Sequence, residues 1–219
     1  MKDYQEKFIR LALRSEALLF GDFTLKSGRN SPYFFNAAKM LNTEFLADLS
    51  ECYTETLQDL GVSFDSIYGP AYKGIFLASI IGASLGKSNL DIPVSFNRKE
   101  EKDHGEGGDI IGQLPSGNVL IIDDVISAGT AARESIEKIK SIGANPKIML
   151  VGLDRQEKGV SNMSAKAELE NDFELIVSSI VDLDLLISFV SDDPNFKEFK
   201  SDLDCLLYTS PSPRDVSSS

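Results

Sequence analysis

The sequence predicts an α/β fold, a domain in which buried strands alternate with amphipathic helices. Three observations point there. Val119–Ala131 runs from four aliphatic residues into Asp123 and Asp124, then into small and hydroxyl residues that open a helical pattern: strand, ligand loop, helix. Phe64–Tyr68 is followed by Gly69-Pro-Ala-Tyr-Lys-Gly74 and a long apolar helix from Ile75, which repeats the arrangement. The chain has 219 residues, 42% of them apolar, enough to fill a single core.

Charge narrows the function classes. With 22 basic and 34 acidic side chains the formal charge is -12, which repels phosphate backbones and argues against a general nucleic-acid surface. An anionic ligand therefore has to meet a local basic cluster. Met1–Phe20 interleaves Lys2, Glu6, Lys7, Arg10, Arg14 and Glu16 among its apolar residues, unlike a signal peptide. No stretch approaches the roughly 18 apolar residues of a membrane span, so a cytoplasmic protein is expected. Cys52 and Cys205 stand far apart without a CxxC partner, which fits reduced thiols and excludes a cysteine-based zinc site.

In chain order, Tyr4, Phe8, Ile9, Leu11, Ala12 and Leu13 crowd one side of a first helix, and Gly21 marks a break soon after. Phe23–Asn36 reads as a hairpin turning at Ser27-Gly28-Arg29-Asn30. Lys26 precedes the turn and Phe34 and Phe35 follow it, so a flat heteroaromatic ligand could stack on a phenylalanine while the lysine meets its charge. Core packing of the aromatics is the alternative. Thr43–Leu60 is a helix capped by Asn42 or Thr43 and closed by Gly61. The glycine-bracketed loop Gly69–Gly74 offers backbone N–H groups to a phosphate and Lys73 as a point charge, unless it is an ordinary turn with a solvated lysine. Gly82-Ala-Ser-Leu-Gly86-Lys87-Ser88 imitates a P-loop with one residue too few, and reads as a helix C-terminus.

Ile92–Phe96 is a short strand. Asn97–Gly108 is highly charged and nearly devoid of apolar residues: a linker, or a lid bringing Arg98, Lys99, Lys102 and His104 over an anionic substrate. Asn118–Asp123 is the central strand, with Asp123 and Asp124 at its carboxyl end, where open α/β sheets place ligands. Adjacent carboxylates suit a diol, or a magnesium ion engaged through water. Ser127-Ala128-Gly129-Thr130 suits a phosphate, because small residues let amides approach and the following helix, through Ile139 to Gly143, supplies its dipole. Pro146–Leu153 is another strand, and Arg155 beyond it could make a bidentate contact with a ligand or a surface ion pair with Asp154 or Glu157. Ala165–Asp172 is helical, Leu175–Val181 a strand, and Asp182–Val190 and Asn195–Leu203 closing helices. From Cys205 the composition turns to Ser and Pro without periodicity, so 205–219 is expected to be a disordered, non-native tail.

From Met1 to about Leu203 the chain resembles the bacterial type of orotate phosphoribosyltransferase. Val119–Ala131 is similar to the phosphoribosyl diphosphate signature of the type I phosphoribosyltransferases, while Phe23–Asn36, Gly69–Gly74 and Arg98–Gly108 narrow the resemblance to orotate. It implies a mostly parallel sheet flanked by helices, one domain over 1–204, and a small hood from about residues 1–40. It implies transfer of the phosphoribosyl group from 5-phosphoribosyl 1-diphosphate (PRPP) to orotate, in pyrimidine biosynthesis, by a homodimer with shared sites; from the charge and the lack of an apolar span, neither nucleic acid nor membrane is an expected partner. Lys26, Phe34, Phe35, Ser127 and Arg155 fall on orotate positions. Tyr72, Lys73, Arg98, Lys99, Lys102, His104, Asp123, Asp124, Val125, Ile126, Ser127, Ala128, Gly129, Thr130 and Ala131 fall on PRPP positions. Lys102, Asp123 and Asp124 are the implied catalytic groups. Magnesium is implied as held by diphosphate and ribose, reaching the two aspartates through water. Ser127 replaces the usual threonine and keeps its hydroxyl. The resemblance also implies a cis peptide between Ala71 and Tyr72. A phosphoribosyltransferase for another base, or a PRPP-sensing nucleic-acid regulator, are the competing readings; Lys26–Phe35 speaks against the first and the charge against the second.

Overall fold

The computed structural model describes residues 1–25, 28–88, 90–99 and 109–209. Helix α1 (Asp3–Arg14) buries Tyr4, Phe8, Ile9, Leu11 and Ala12, the face its periodicity predicts. Strands β1 (Leu18–Thr24) and β2 (Asn30–Phe35) form a separate antiparallel ribbon. Helix α2 (Thr43–Leu60) starts at Asn42, whose side chain accepts from the Glu44 amide, and stops at Gly61. Then follow β3 (Ser66–Gly69), α3 (Lys73–Lys87), β4 (Val94–Asn97), β5 (Ile110–Gly112) and β6 (Asn118–Ile126). The remainder is α4 (Thr130–Ser141), β7 (Asn145–Asp154), α5 (Ala165–Phe173), β8 (Ile176–Asp182), α6 (Leu183–Asp192) and α7 (Lys200–Thr209).

The main sheet has the order β5-β4-β3-β6-β7-β8, and all its pairs are parallel except β4 with β5. Leu120 and Ile122 face a core built with α1, α2, α3 and α6, while Val119 and Ile121 face the core under α4 and α5. This alternation follows from the two-residue period of a strand covered on both faces. From β3 the chain winds outward to β4, and from β6 it winds the other way to β7 and β8. The carboxyl ends of β3 and β6 therefore border the crevice where an open α/β sheet accepts a ligand.

Four sequence expectations are corrected. Gly21 does not end a segment; it lies inside β1, where the ladder with β2 shifts register between Phe20 and Phe23. β5 has no counterpart in the sequence pattern, because three residues carry no period and the element exists only through its pairing with β4. β6 continues through Val125 and Ile126, which pair with Leu153 and Asp154, so these two belong to the ladder and not to the loop. Residues Cys205–Thr209, expected to be disordered, continue α7, because Leu206 and Leu207 pack beside buried Leu203 and extend its apolar face. Residues 210–219 lie outside the described residues. The P-loop imitation falls within α3, as expected.

Gly69 and Gly74 let α3 sit directly against β3 and β6. A Cβ on Gly69 would lie 2.1 Å from the Gly74 carbonyl oxygen, and one on Gly74 would lie 2.7 Å from the Ile122 oxygen. Backbone would have to move for either. Gly69→Ala and Gly74→Ala should each lower unfolding free energy by about 2 to 3 kcal/mol in urea titrations. Gly86→Ala, whose Cβ meets nothing within 4 Å in the same helix, should be neutral or stabilising by up to about 1 kcal/mol.

Candidate active site

The crevice places the two aspartates differently. Asp124 is 5% exposed, and Lys73, the first residue of α3, reaches it with Nζ 2.6 Å from Oδ2. Lys73, expected to face a diphosphate, thus neutralises a buried carboxylate. Asp123 is half-buried; its Oδ1 accepts the Asp124 amide at 2.9 Å, and its carbonyl oxygen accepts the Tyr53 hydroxyl at 2.9 Å. Burial, and then the Asp124 carboxylate beside it, push the Asp123 carboxyl well above the usual range, to about 7.

Beyond β6, Ser127 and Ala128 are exposed and Gly129 is buried at φ 81 as the residue preceding α4. A left-handed backbone at that point favours glycine. The N-cap Gly129 brings no side-chain hydrogen bond to α4, so the first amides of the helix are the donors that a ligand at this end would meet. Thr130 and Ala131 are exposed at the helix start. Val125 is half-buried and Ile126 is buried in the core under α4, so Ile126 can meet a ligand through main chain only.

On the β3 side the Ala71–Tyr72 peptide is cis, as the resemblance implied. The Ala71 amide donates to the Asn97 side chain at 2.8 Å, tying the loop to the end of β4. Tyr72 is 68% exposed, and Lys99 Nζ stands 5.1 Å from its ring centroid. A cavity of about 400 Å³ brings Pro70, Ala71, Asn97, Arg98, Lys99 and Ala131 together. Lys102 and His104 lie outside the described residues, as does Lys26.

At the end of β7, Arg155 is 6% exposed, which rules out the surface ion pair as its setting. Its Nε donates to Glu157 Oε1 at 2.8 Å, its Nη2 to Ser31 Oγ at 3.1 Å, and its guanidinium lies 4.3 Å over the Tyr33 ring. Arg29 Nη2 meets Glu157 Oε2 at 2.5 Å. The inward face of β2 therefore delivers Ser31 and Tyr33 to Arg155, with Arg29 just before the strand. Alternation along the same strand separates the two phenylalanines. Phe35 packs 6.2 Å from Phe8 against the core, whereas Phe34 is exposed beside Phe23 at 5.7 Å. Both rings cannot stack on one ligand. Sequence reasoning missed Ser31, Tyr33, Tyr53, Asn97 and Glu157 as site residues; the two-residue spacing from Arg29 to Tyr33 is the signal that could have found the first two. A larger cavity of about 550 Å³ lies between the ribbon and α7; among the described residues its lining carries Asp22 and Asp202 and no cation.

Comparison with known proteins decides the family. Residues 38–179 match the phosphoribosyl transferase domain. An orotate phosphoribosyltransferase of Marinobacter nauticus is 49% identical over 196 residues, 90% of this chain and 92% of that protein. The chain belongs to the orotate phosphoribosyltransferase family. An Escherichia coli orotate phosphoribosyltransferase is 49% identical over 199 residues, covering 90% of this chain and 93% of that one. The crystal structure of the Francisella tularensis orotate phosphoribosyltransferase aligns with TM-score 0.81 at 36% identity, over 94% of this chain and 99% of that chain. The mostly parallel sheet expected from the resemblance is the fold of this phosphoribosyltransferase family.

The raised Asp123 carboxyl has a measurable sign. Between about 3.8, its ordinary value, and about 7 the folded chain holds a proton that the unfolded chain has released. Stability from this group is therefore present below that window and lost as pH rises through it. Asp123→Asn cannot ionise, so its Tm relative to the parent protein should climb from about pH 4 to about pH 7 and level off above. Parallel Tm curves would contradict the shift.

Proposed function

We propose that the chain transfers the phosphoribosyl group from PRPP to orotate, giving orotidine 5'-phosphate and diphosphate. The observation that carries this reading is one rim holding a diol-and-phosphate end at Asp123–Thr130 and, at the end of the neighbouring strand, a buried arginine. The names of the relatives agree with it.

On this reading the ribose hydroxyls donate to Asp123 and Asp124, and the 5'-phosphate takes the amides of Ser127–Ala131 at the α4 N-terminus. The diphosphate takes Tyr72, Lys73 and Lys99. Ribose hydroxyls on Asp124 leave Lys73 free to turn to the diphosphate. Orotate lies toward Arg155, with Lys26, Phe34 and Ser127 around it and Phe35 contributing through its backbone. Arg98 stands at the same cavity as Lys99, and Lys102 and His104 complete the site from the partner subunit of a homodimer.

Asp123 and Asp124 fit a magnesium ion engaged through water. Among the described residues no group of three or more His, Cys, Asp or Glu could enclose a metal, so an ion held here would depend on the two aspartates through water and on the bound substrate. When bound, the ion supplies positive charge against the leaving diphosphate. The chain's own residues do the remaining work. Breaking the bond between C1 of the ribose and the diphosphate builds positive charge on the sugar and negative charge on the leaving group. Lys73, Lys99 and Lys102 meet the negative charge, the aspartates hold the sugar in place, and N1 of orotate gives up its proton and forms the new bond to C1 as diphosphate leaves. No side chain becomes covalently attached.

Loss of orotate absorbance on mixing protein, magnesium, PRPP and orotate tests the assignment. Turnover is expected with orotate and not with purine bases, and purine turnover without orotate consumption would overturn it. Lys102→Ala should lower kcat by about 100-fold while KM changes little, because the interaction matters in the transition state. A changed KM with intact kcat would remove Lys102 from that role.

A further inference from the structure

Glu157 is 5% exposed, and its two oxygens serve arginines from different parts of the fold. Oε1 accepts Arg155 Nε from the end of β7, and Oε2 meets Arg29 Nη2 from the turn of the β1–β2 ribbon.

The geometry around Arg155 is held from every side but one. Ser31 Oγ accepts Nη2 while donating its own hydrogen to the Tyr33 carbonyl at 2.7 Å, and the Tyr33 ring supports the guanidinium plane. The Arg155 amide donates to the Ile126 carbonyl at 3.1 Å, on the strand that carries the aspartates. Between Arg155 and Glu157, Gln156 sits at φ 52, and its side chain both donates to Asp184 Oδ2 at 3.0 Å and accepts the Asp184 amide at 3.1 Å. This pair of hydrogen bonds to the start of α6 locks the kink from which Arg155 and Glu157 project. Nε and Nη2 are engaged; among the described residues no group hydrogen-bonds Nη1.

We infer that Glu157 is a positioning residue for the base. It fixes Arg155 so that Nη1 is left to a carboxylate-bearing base, and through Arg29 it fastens the ribbon over that base. The inference rests on the assignment of Arg155 to the orotate pocket. A carboxylate that merely braced the fold would affect both substrates or neither. One that positions Arg155 affects orotate alone.

Steady-state kinetics on Glu157→Ala and Glu157→Gln, with Arg155→Ala as the reference and folding followed by thermal denaturation, test it. In Glu157→Ala the KM for orotate should rise about tenfold or more while that for PRPP stays within about twofold. In Glu157→Gln, which keeps an acceptor for Nε but loses the charge, the orotate KM should rise about threefold. Should Glu157→Ala fail to fold, the near-isosteric glutamine variant carries the test. A parallel rise of both KM values, or an unchanged orotate KM in a folded variant, overturns the positioning role. If Arg155→Ala also leaves the orotate KM unchanged, the pocket assignment falls with it; if Arg155→Ala raises it and the Glu157 variants do not, only the role of Glu157 falls.

Discussion

Burial of Val119–Ile122 on both faces of the sheet holds β6 between β3 and β7, and the site follows from where that strand ends. Its carboxyl end delivers Asp123 and Asp124 into the crevice at the switch in strand order, one half-buried and one almost fully so. A buried carboxylate deprived of its partner costs about 3 to 5 kcal/mol, whereas an exposed ion pair contributes about 0 to 1. The Lys73–Asp124 contact therefore outweighs surface pairs such as Lys2–Asp59 or Arg14–Glu44. It also accounts for the glycines. Lys73 reaches Asp124 from the first turn of α3, whose close approach to β3 and β6 depends on Gly69 and Gly74.

A chain of formal charge -12 has to hold an anionic sugar phosphate by local means. Long-range attraction is unfavourable, so on the proposed reading capture falls to short-range donors: the start of α4, Lys73, and Arg98 with Lys99 at one cavity. At the other end of the rim Arg29 and Arg155 share Glu157. At both ends a buried acid holds a cation. Such pairing limits the cost of a desolvated charge and keeps the cation in place.

Legibility in the sequence follows how local the determining physics is. Helix α2 is readable because its cap and stop residues, Asn42 and Gly61, act within one turn. β6 is readable because a four-residue aliphatic run ending in acids fits a buried strand that delivers polar groups to its carboxyl end, and fits little else. β5 is not, since three residues gain identity only from the strand they pair with. The Ser and Pro content after Cys205 masks Leu206 and Leu207, whose packing beside Leu203 extends α7. Arg155 is readable as a candidate, and the ion pair weighed against it with Glu157 exists, yet in a buried setting that composition could not reveal. Phe34 and Phe35 look like one aromatic platform until the pleat of β2 separates them.

The central claim is that the end of β6 holds the sugar phosphate while the end of β7 addresses the base. A crystal structure of the protein with magnesium and PRPP tests this most directly. The account predicts ribose hydroxyls on Asp123 and Asp124, the 5'-phosphate on the amides of Ser127–Ala131, and Lys73 withdrawn from Asp124. A 5'-phosphate bound at Arg155, or a ribose that leaves both aspartates untouched, would contradict it.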